Sequence, residues 1–544
     1  MLWNKKVALF LALLMALTIA APVTSLADDE RPVITVFDFT EELNQDLINK
    51  APTILKMEEE LGIDLQIEVV SGISKEEKMA TMIASEDYPD IMFRVDERMI
   101  EAGALLPLDE LLESDGQNVL SAWGSSLNKL RYPGDSKVYW IASPKNRPEE
   151  IADAGACLLV QYDVLEKLGY PEIKTLDDLY EAITDYLAIS PDLDGTPYIP
   201  YGVWADSWGY NQTVNNPALW INGFTDDSDA YIDQETFDVT YFNTTDYFKS
   251  YLAFLNKLYN NGLLSENAFI TKYDEFNSQV ASGRVLATIY NAGLLSEPEA
   301  ALRAAGMPER CYARFPITLN EDIKDRSQVY CESYDNGVGI SVNCENPELA
   351  MKVIDYIASN EGNVLFNWGI EGTHYDVVDG KRVWKDEVKD TYASDPNYRY
   401  QEGISFANWW PLYVGSMKLD DGDYASPANK EDFYANADEV TKKVLDAYGI
   451  TCWGDNFDTT GTPTPYGYAW TLVIETGSDA DLANAKANTL RHSMVPTIVM
   501  SKTEDEFDAN FDSFVNQLYN DCKINLWEDA MHQAILDRMA IWGE

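Results

Sequence analysis

The chain has 544 residues, 46% of them hydrophobic, enough to bury more than one core. Its formal charge of −51 argues against nucleic acid as a partner, because phosphate binding needs basic surface, and fits a solvated, mutually repulsive exterior. Six cysteines, at 157, 311, 331, 344, 452 and 522, stand far apart without a C-x-x-C, so neither a zinc ribbon nor a small disulfide scaffold is expected. Cys331 and Cys344 flank the strand-like GVGISV and could pair, but free buried thiols fit equally well.

The N-terminus reads as a leader. Val7 to Ala21 form an apolar run behind Lys5 and Lys6, and Ser25-Leu26-Ala27 supplies small residues at a cleavage site, which is expected after Ala27. The run is shorter than the roughly 20 residues of a spanning helix. Val33 to Phe39 then predicts a strand, and Leu43, Leu47, Ile54, Leu55 and Leu61 a helical stretch closed at Gly62. Ile63, Leu65, Ile67 and Val69 alternate as a second strand. Met79, Met82 and Ile83 recur at helical spacing until Tyr88-Pro89, and Asp90 to Phe93 is a third strand. This rhythm predicts a mostly parallel sheet with any ligand at the carboxyl ends of its strands, where Asp38 and Arg94 stand.

Farther along, KVYWIASP and CLLVQYDVLEKLGY read as strands leading into a helix, and Thr175 to Asp178 opens another with a capping box. Asn243 to Leu263 is amphipathic, with Phe248, Leu252, Leu255 and Tyr259 on one face. Asp274 to Asn291 predicts a helix, a glycine stop and a buried strand. Gly337 to Val342 is a further strand, followed by Asn346 as N-cap and Pro347 at the first helical position. VPTIVMSKTEDEF predicts a strand and then a capping box at Ser501 and Glu504. No internal repeat or low-complexity segment occurs.

Three stretches carry a resemblance. ASEDYPDI between a helix and GALLPLDELL, the D-x-L-x-K-L-G positions at Asp163, Leu165, Lys167, Leu168 and Gly169, and above all N-W-G-x-E-G-x-x-Y at Asn367 to Tyr375 are similar to extracellular solute-binding proteins of family 1, in their alginate- and oligosaccharide-binding branch. The resemblance spans nearly the whole mature chain. It implies an α/β fold of two periplasmic-binding-protein-like lobes, each a mostly parallel sheet flanked by helices, joined by several hinge crossovers. With a return crossover placed near the strand at 285–291, the expected division is 1–27 signal peptide, 28–150 with about 285–330 in the first lobe, and 151–284 with about 331–544 in the second. The implied function is capture of a sugar or oligosaccharide for a membrane permease of an ABC importer, by a monomer, with no cofactor. Some relatives hold calcium in a loop corresponding to Asp192-Leu-Asp194-Gly195, but too few oxygen ligands alternate here and no metal is expected. Gram-positive relatives carry a lipid-anchored Cys at the cleavage site. None precedes Cys157, so release into the periplasm or exterior is expected.

Aromatics make up 12% of residues, with 14 Trp and 32 Tyr, several in loop-like segments. Sugar rings stack apolar faces on aromatic planes and satisfy their hydroxyls with Asp, Asn and Arg. Candidate ligand contacts in the second lobe are therefore Trp204, Trp208, Tyr210 and Asn211 in VWADSWGYN, and Asn408, Trp409 and Trp410 in SFANWWP. From the first lobe come Asp38 and Arg94, with Tyr290 and Asn291 after the crossover strand and Tyr334 and Asp335 beside the next one. Glu371 and His374 sit in a glycine-rich motif leading to a hairpin, which favours a structural role. His492 and His532 lie on helical patterns. H-E-x-x-H, G-x-S-x-G and the phosphate-cradling glycine loop are absent, and Ser126 to Lys129 fits S-x-x-K without its companion motifs. The rival reading is a secreted hydrolase with paired carboxylates, whose signature is a separation in space.

Overall fold

The computed structural model describes residues 31–543 apart from 41–42, 145–150, 226, 332–333, 335, 396, 408, 414 and 473, so the expected leader, Asp335 and Asn408 lie outside the described residues. Strand β1 (Val33–Asp38) leads to helix α1 (Pro52–Leu61), which opens on a proline that has no N–H to waste and closes at Gly62 with φ +66. Strand β2 (Asp64–Val69) buries every second residue. Helix α2 (Lys75–Ser85) starts where the Ser74 hydroxyl accepts the Glu77 N–H, and β3 (Ile91–Val95) follows. Both β2 and β3 run parallel to the central β1. Asp90 pins the β3 register: its Oδ2 accepts the Thr35 N–H at 2.8 Å and the Thr35 hydroxyl at 2.7 Å.

The second sheet begins with β4 (Ala156–Gln161). Helix α3 (Leu176–Ile189) carries the predicted Thr175/Asp178 capping box. Strand β5 (Ile199–Tyr201), helices α4 (Asp246–Asn260) and α5 (Tyr273–Ala281), β6 (Val285–Asn291) and β7 (Tyr312–Phe315) complete it in the order β7-β4-β6-β5. This sheet is mixed: β6 is parallel to β5, while β4 runs against both β6 and β7. The chain then returns, and β8 (Gly337–Ile340) pairs antiparallel with β3, giving a first sheet ordered β8-β3-β1-β2. Helix α6 (Pro347–Ala358), capped by Asn346, covers it. A hairpin of β9 (Tyr375–Val378) and β10 (Lys381–Trp384) turns at Asp379-Gly380, both at positive φ. Helices α7 (Asp479–Val499), α8 (Glu504–Gln517) and α9 (Asn525–Trp542) end the chain.

Each sheet has its own core, one containing Val36, Ile67, Phe93 and Ile354, the other Leu158, Leu252, Ile289 and Phe514. Helix α9 belongs to both: Trp527, Met531 and Ile535 pack in the second, Trp542 in the first.

Three expectations need correction. Residues 285–330 were expected in the first lobe, yet β6 and β7 pair with β4 in the second sheet, and the crossover comes after Phe315. Conversely, β8 and α6 lie on the first sheet and not in the second lobe. A strand buried on both faces reads as an apolar run whichever sheet it joins, so its sequence does not specify its partner. Next, VPTIVM is the end of helix α7, not a strand. Its β-branched run suggests β structure, but Val495, Ile498 and Val499 are the buried positions, at helical spacing, and Pro496 is accommodated inside the helix. The N-cap of α8 is consequently Thr503, which accepts the Glu506 N–H, while the Ser501 hydroxyl donates back to the Thr497 carbonyl. Finally, KVYWIASP supplies isolated bridges at Val138 and Ile141 in place of a full strand.

The second core contains a buried charge. Arg314 of β7 donates to Glu299 Oε2 at 3.0 Å and lies 2.8 Å from Asp153 Oδ1, in the crossover that enters this sheet. Glu299 Oε1 also accepts the Tyr312 N–H at 2.9 Å. Replacing Glu299 by Ala leaves the Tyr312 N–H without its acceptor and the guanidinium with Asp153 as its remaining carboxylate. Urea denaturation of the variant is expected to show a loss of about 1–3 kcal/mol.

Candidate functional site

The carboxyl ends of the first sheet's parallel strands hold a tightly occupied set of side chains. Asp38 is 1% exposed; its Oδ1 accepts the Thr40 N–H at 2.9 Å and its Oδ2 the Trp410 indole N–H at 2.9 Å. Burial pushes this carboxyl above its ordinary range, against the pull of those hydrogen bonds. Trp410 is stacked on Phe93, centroids 4.5 Å apart at 18°, with Phe366 and Phe406 at its edges. It is a core residue of the first lobe and offers no ring face to a ligand, contrary to the expectation that placed it in the second lobe's binding surface. Its neighbour Trp409 is half-buried and lies under the Arg94 guanidinium, 4.8 Å from the ring centroid. Arg94 adopts φ +59, the left-handed region that a non-glycine residue enters at a cost.

Beside Arg94 the strand end continues into an ion network. Arg98 grips Asp96 with both arms of its fork, Nε to Oδ1 at 2.9 Å and Nη2 to Oδ2 at 2.6 Å. Lys75 reaches the same carboxylate at 3.3 Å and donates to Asn336 Oδ1 at 2.7 Å, tying α2 to the segment that enters β8. Burial favours protonation of Asp96, but the Arg98 bonds and the Lys75 charge outweigh it and hold the carboxyl below its usual range.

At the second sheet's β5 and β6 ends, Trp204 is buried and meets Trp208, Tyr273 and Tyr290 at centroid distances of 4.6, 5.1 and 6.4 Å. Of these, Trp208 stands outermost, 46% exposed. Tyr290 is fully buried, and Asn291 uses its Oδ1 to accept the Gly293 N–H. Tyr210 is buried as well, beneath the Arg491 guanidinium at 4.4 Å, with Asn211 at the edge of the Asn215–Asp229–Arg491 cluster. Trp204 and Tyr290 thus form the layer behind Trp208 rather than a surface themselves, and Tyr210 is buried against Arg491 and His492.

A cavity of about 560 Å³ is bounded by both lobes. The first contributes Lys75, Asp96, Arg98, Trp140 and Tyr334; the second contributes Trp470, Thr471 and, from α9, Arg538. Trp140 is held edgewise by its indole N–H on the Tyr334 carbonyl at 2.9 Å. Arg538 donates to the Thr471 carbonyl at 2.7 Å and the Tyr466 carbonyl at 3.3 Å, which braces the loop presenting Trp470, 41% exposed. Sequence reasoning missed Trp140, Trp470 and Arg538. The aromatic loop YGYAWTLV carries the same signal as VWADSWGYN and could have been singled out; nothing in a helix marks Arg538.

His374 is structural. The Ile370 N–H donates to its Nδ1 at 2.9 Å, so Nε2 carries the proton and donates to Glu402 at 3.0 Å. Asp192 and Asp194 flank a tight hairpin in which Asp192 Oδ1 accepts the Gly195 N–H. Cys331 and Cys344 are both unpaired thiols.

The sequence model of bacterial extracellular solute-binding proteins matches residues 39–364. Among curated proteins, Lipoprotein LipO of Bacillus subtilis (strain 168) is 22% identical over 344 residues, which cover 61% of this chain and 65% of that protein; the match thus spans under two thirds of the relative's length. Among solved structures, the alginate-binding protein AlgQ2 without calcium ion aligns with a TM-score of 0.62 and 17% identity over 93% of this chain and 98% of the other. An HMO-binding, ABC-transporter-associated solute-binding protein from Bifidobacterium longum infantis gives 0.65 and 16%, over 93% and 99%. The Streptococcus pneumoniae ABC-transporter substrate-binding protein FusA, an EF-hand mutant in complex with fructo-nystose, gives 0.65 and 14%, over 93% and 99%. At these identities the shared property is the fold: two α/β lobes joined by crossovers.

The tryptophans divide into core and surface. Trp410→Ala is expected to lower unfolding stability by about 3–5 kcal/mol, because it removes a buried ring and leaves Oδ2 of Asp38 without its indole donor. Trp208→Ala should change it by no more than about 1 kcal/mol, since much of that ring is already in water. Parallel urea titrations check both.

Proposed function

The chain belongs to the bacterial extracellular solute-binding protein family, and on that premise we propose that it captures a sugar or oligosaccharide between its two lobes and delivers it to an ABC importer in the membrane. The observation that carries this reading is the cavity between the lobes, in which aromatic faces at Trp140 and Trp470 accompany polar groups already fixed by their own partners. Such a site suits a ligand with apolar ring faces and many hydroxyls. The printed names of the fold neighbours, for alginate, HMO and fructo-nystose, point the same way. Of the described sequence candidates, Tyr334 lines that cavity and is the one we assign to ligand contact there, while Trp208, Trp409 and Arg94 stand outside its lining. Closure of the lobes follows from ligand contacts on both sides, because binding shifts a conformational equilibrium only by its differential affinity for the two states.

The protein acts as a monomeric carrier, not an enzyme, and no nucleic acid takes part. Against the hydrolase reading, both oxygens of Asp96 are engaged by Arg98 and Lys75, which leaves that carboxylate poorly placed to attack or to transfer protons. The mature chain starts at Asp28 and is released without acylation, even though its curated relative is named a lipoprotein.

A thermal-shift screen of mono- and oligosaccharides tests the capture. A ligand present at 100 times its dissociation constant adds about 2.7 kcal/mol, and the stabilising sugar should be recovered chemically intact after long incubation; its cleavage overturns the carrier reading. Trp470→Ala is expected to weaken that ligand by about 1–3 kcal/mol with the melting temperature of the free protein unchanged. Mass spectrometry of the exported chain decides the N-terminus, an acylated residue sinking the claim of free release.

A further inference from the structure

The loop that brings Trp470, Thr471 and Leu472 to the cavity contains a single turn of 3-10 helix (Ala469–Thr471) and no strand, so side chains from elsewhere fix its place. Two residues do this. Arg538 of α9 donates to the Tyr466, Tyr468 and Thr471 carbonyls at 3.3, 3.4 and 2.7 Å. From the other side comes Asp227, whose Oδ1 accepts the Ala469 N–H at 2.9 Å, one residue before Trp470, and whose Oδ2 accepts the Tyr466 hydroxyl at 3.3 Å. Asp227 is itself firmly mounted on the second core. Its carbonyl accepts the Ala230 N–H at the start of a short strand (Ala230–Ile232), and Asp229, two residues on, is bound to Arg491 at 2.6 Å. Tyr466 and Ala469 are fully buried, and Trp470 is the residue turned outward, its ring stacked on Tyr468 at 5.8 Å and 27°.

A carboxylate at 227 stands apart from other buried acids. Glu299 and Asp423 each lie against an arginine, Arg314 and Arg382, at 3.0 Å. Asp227 is 7% exposed and, among the described residues, no lysine, arginine or histidine pairs with it. Its partners are the Ala469 amide, the Tyr466 hydroxyl and, at 3.4 Å, the Thr225 hydroxyl, with the buried Cys331 thiol of the crossover as a further titratable neighbour. A carboxamide would accept the Ala469 N–H without burying a charge, so the fold alone does not call for an acid here. We propose that Asp227 is the positioning residue of the saccharide site: its carboxylate holds Ala469 and Tyr466 and so sets where the Trp470 ring stands in the cavity. What that ring touches rests on the saccharide reading above; its placement does not.

The hold depends on a proton. Burial pushes the Asp227 carboxyl up to about 6, against the Ala469, Tyr466 and Thr225 bonds that favour its charged form. The carboxylate therefore prevails above that value and the neutral acid below it. With Oδ1 bound to the amide, the added proton goes to Oδ2, to which Tyr466 then no longer donates, and the Tyr466 oxygen already accepts the Gln234 Nε2–H at 3.0 Å. The bond to Ala469 loses its charge assistance at the same time. Arg538 stays charged throughout, and burial raises the Cys331 thiol, which stays neutral in this range.

The test is fluorine NMR of the full mature protein labelled with fluorotryptophan, the Trp470 signal being assigned by its loss in Trp470→Phe. In the wild type that signal is expected to move with pH, with its midpoint near 6. Asp227→Asn keeps an acceptor for Ala469 but does not ionise, and its Trp470 signal should show no such transition. Tyr466→Phe removes a bond that favours the charged form and should raise the midpoint by about 0.4–1 pH unit. A wild-type signal that ignores pH, or one that moves alike in Asp227→Asn, overturns the proposal. Should Asp227→Asn not fold, Tyr466→Phe decides, an unshifted midpoint overturning it. Neutral trisaccharides of glucose, xylose and mannose, titrated on either side of the midpoint, read the consequence for capture: one that binds should do so about two- to tenfold more weakly at the lower pH, a drop that Asp227→Asn lacks. The same affinity on both sides in the wild type also overturns the proposal. If none of the three binds, that result counts against saccharide capture, while the fluorine signal still decides the positioning.

Discussion

The hydrogen bond from the Trp410 indole to Asp38 joins positions 372 residues apart and fixes the end of β1 against a loop that the chain reaches only after building most of its second lobe. Several other features depend on it. With its N–H on Asp38, the Trp410 ring lies flat on Phe93 and so registers the same loop on β3. Because Trp410 is locked inward, Trp409 is left as the residue on which the Arg94 side chain rests. One buried contact therefore orients the strand ends of the first lobe, the half-exposed tryptophan and the spare cation together. A carboxylate that burial drives toward protonation is tolerated there because both of its oxygens have donors.

The local chemistry of the chain was legible where one short-range rule dominates. Glycine at Gly62, proline and asparagine at the start of α6, the Thr175/Asp178 box and the alternation in β2 each appear as read. Long-range pairing was not. An apolar strand such as β6 contains no information about which sheet receives it, and a segment such as VPTIVM, rich in β-branched residues, goes helical once its i, i+3 and i+4 positions find a core. The site was legible in residue type and not in orientation. Trp409 and Trp410 are identical letters side by side; only the partners of each, the Arg94 guanidinium and the Phe93 ring, separate a surface tryptophan from a core one. Trp140 was read as part of a strand, and its place in the cavity depends on the Tyr334 carbonyl, which arrives from a distant crossover.

The way the chain crosses between lobes sets what the cavity can do. One crossover enters the second sheet through Asp153, bound to Arg314; another leaves it after β7 and carries Tyr334 and Asn336 to the first, where Lys75 and Trp140 hold them. Helix α9 spans both cores and ends with Asn128 donating to the Trp542 carbonyl at 2.8 Å. The cavity thus has walls that belong to separately packed bodies, and part of its floor is the connection between them. Rigid lobes with few connections are the arrangement in which small side-chain contacts bias a large relative motion, since packed cores move as units rather than deform.

The distribution of charge fits the same picture. The carboxylate excess is spread over the exterior, while buried cations such as Arg314 and Arg491 stand against defined acceptors, Glu299 and Asp229. A protein so negative repels anions at long range, so any anion it accepts must be repaid at close quarters, by a cation whose field is not already spent on a fixed partner. Screening by salt leaves only the groups within a Debye length of the ligand to decide the outcome, about 8 Å under physiological conditions. Within the ion network at the end of β3, the cations Arg98 and Lys75 share Asp96, and Arg94 has no partner of its own. The net charge of the whole chain is then a poor guide to the ligand, and the local count of cations against available carboxylates is the better one.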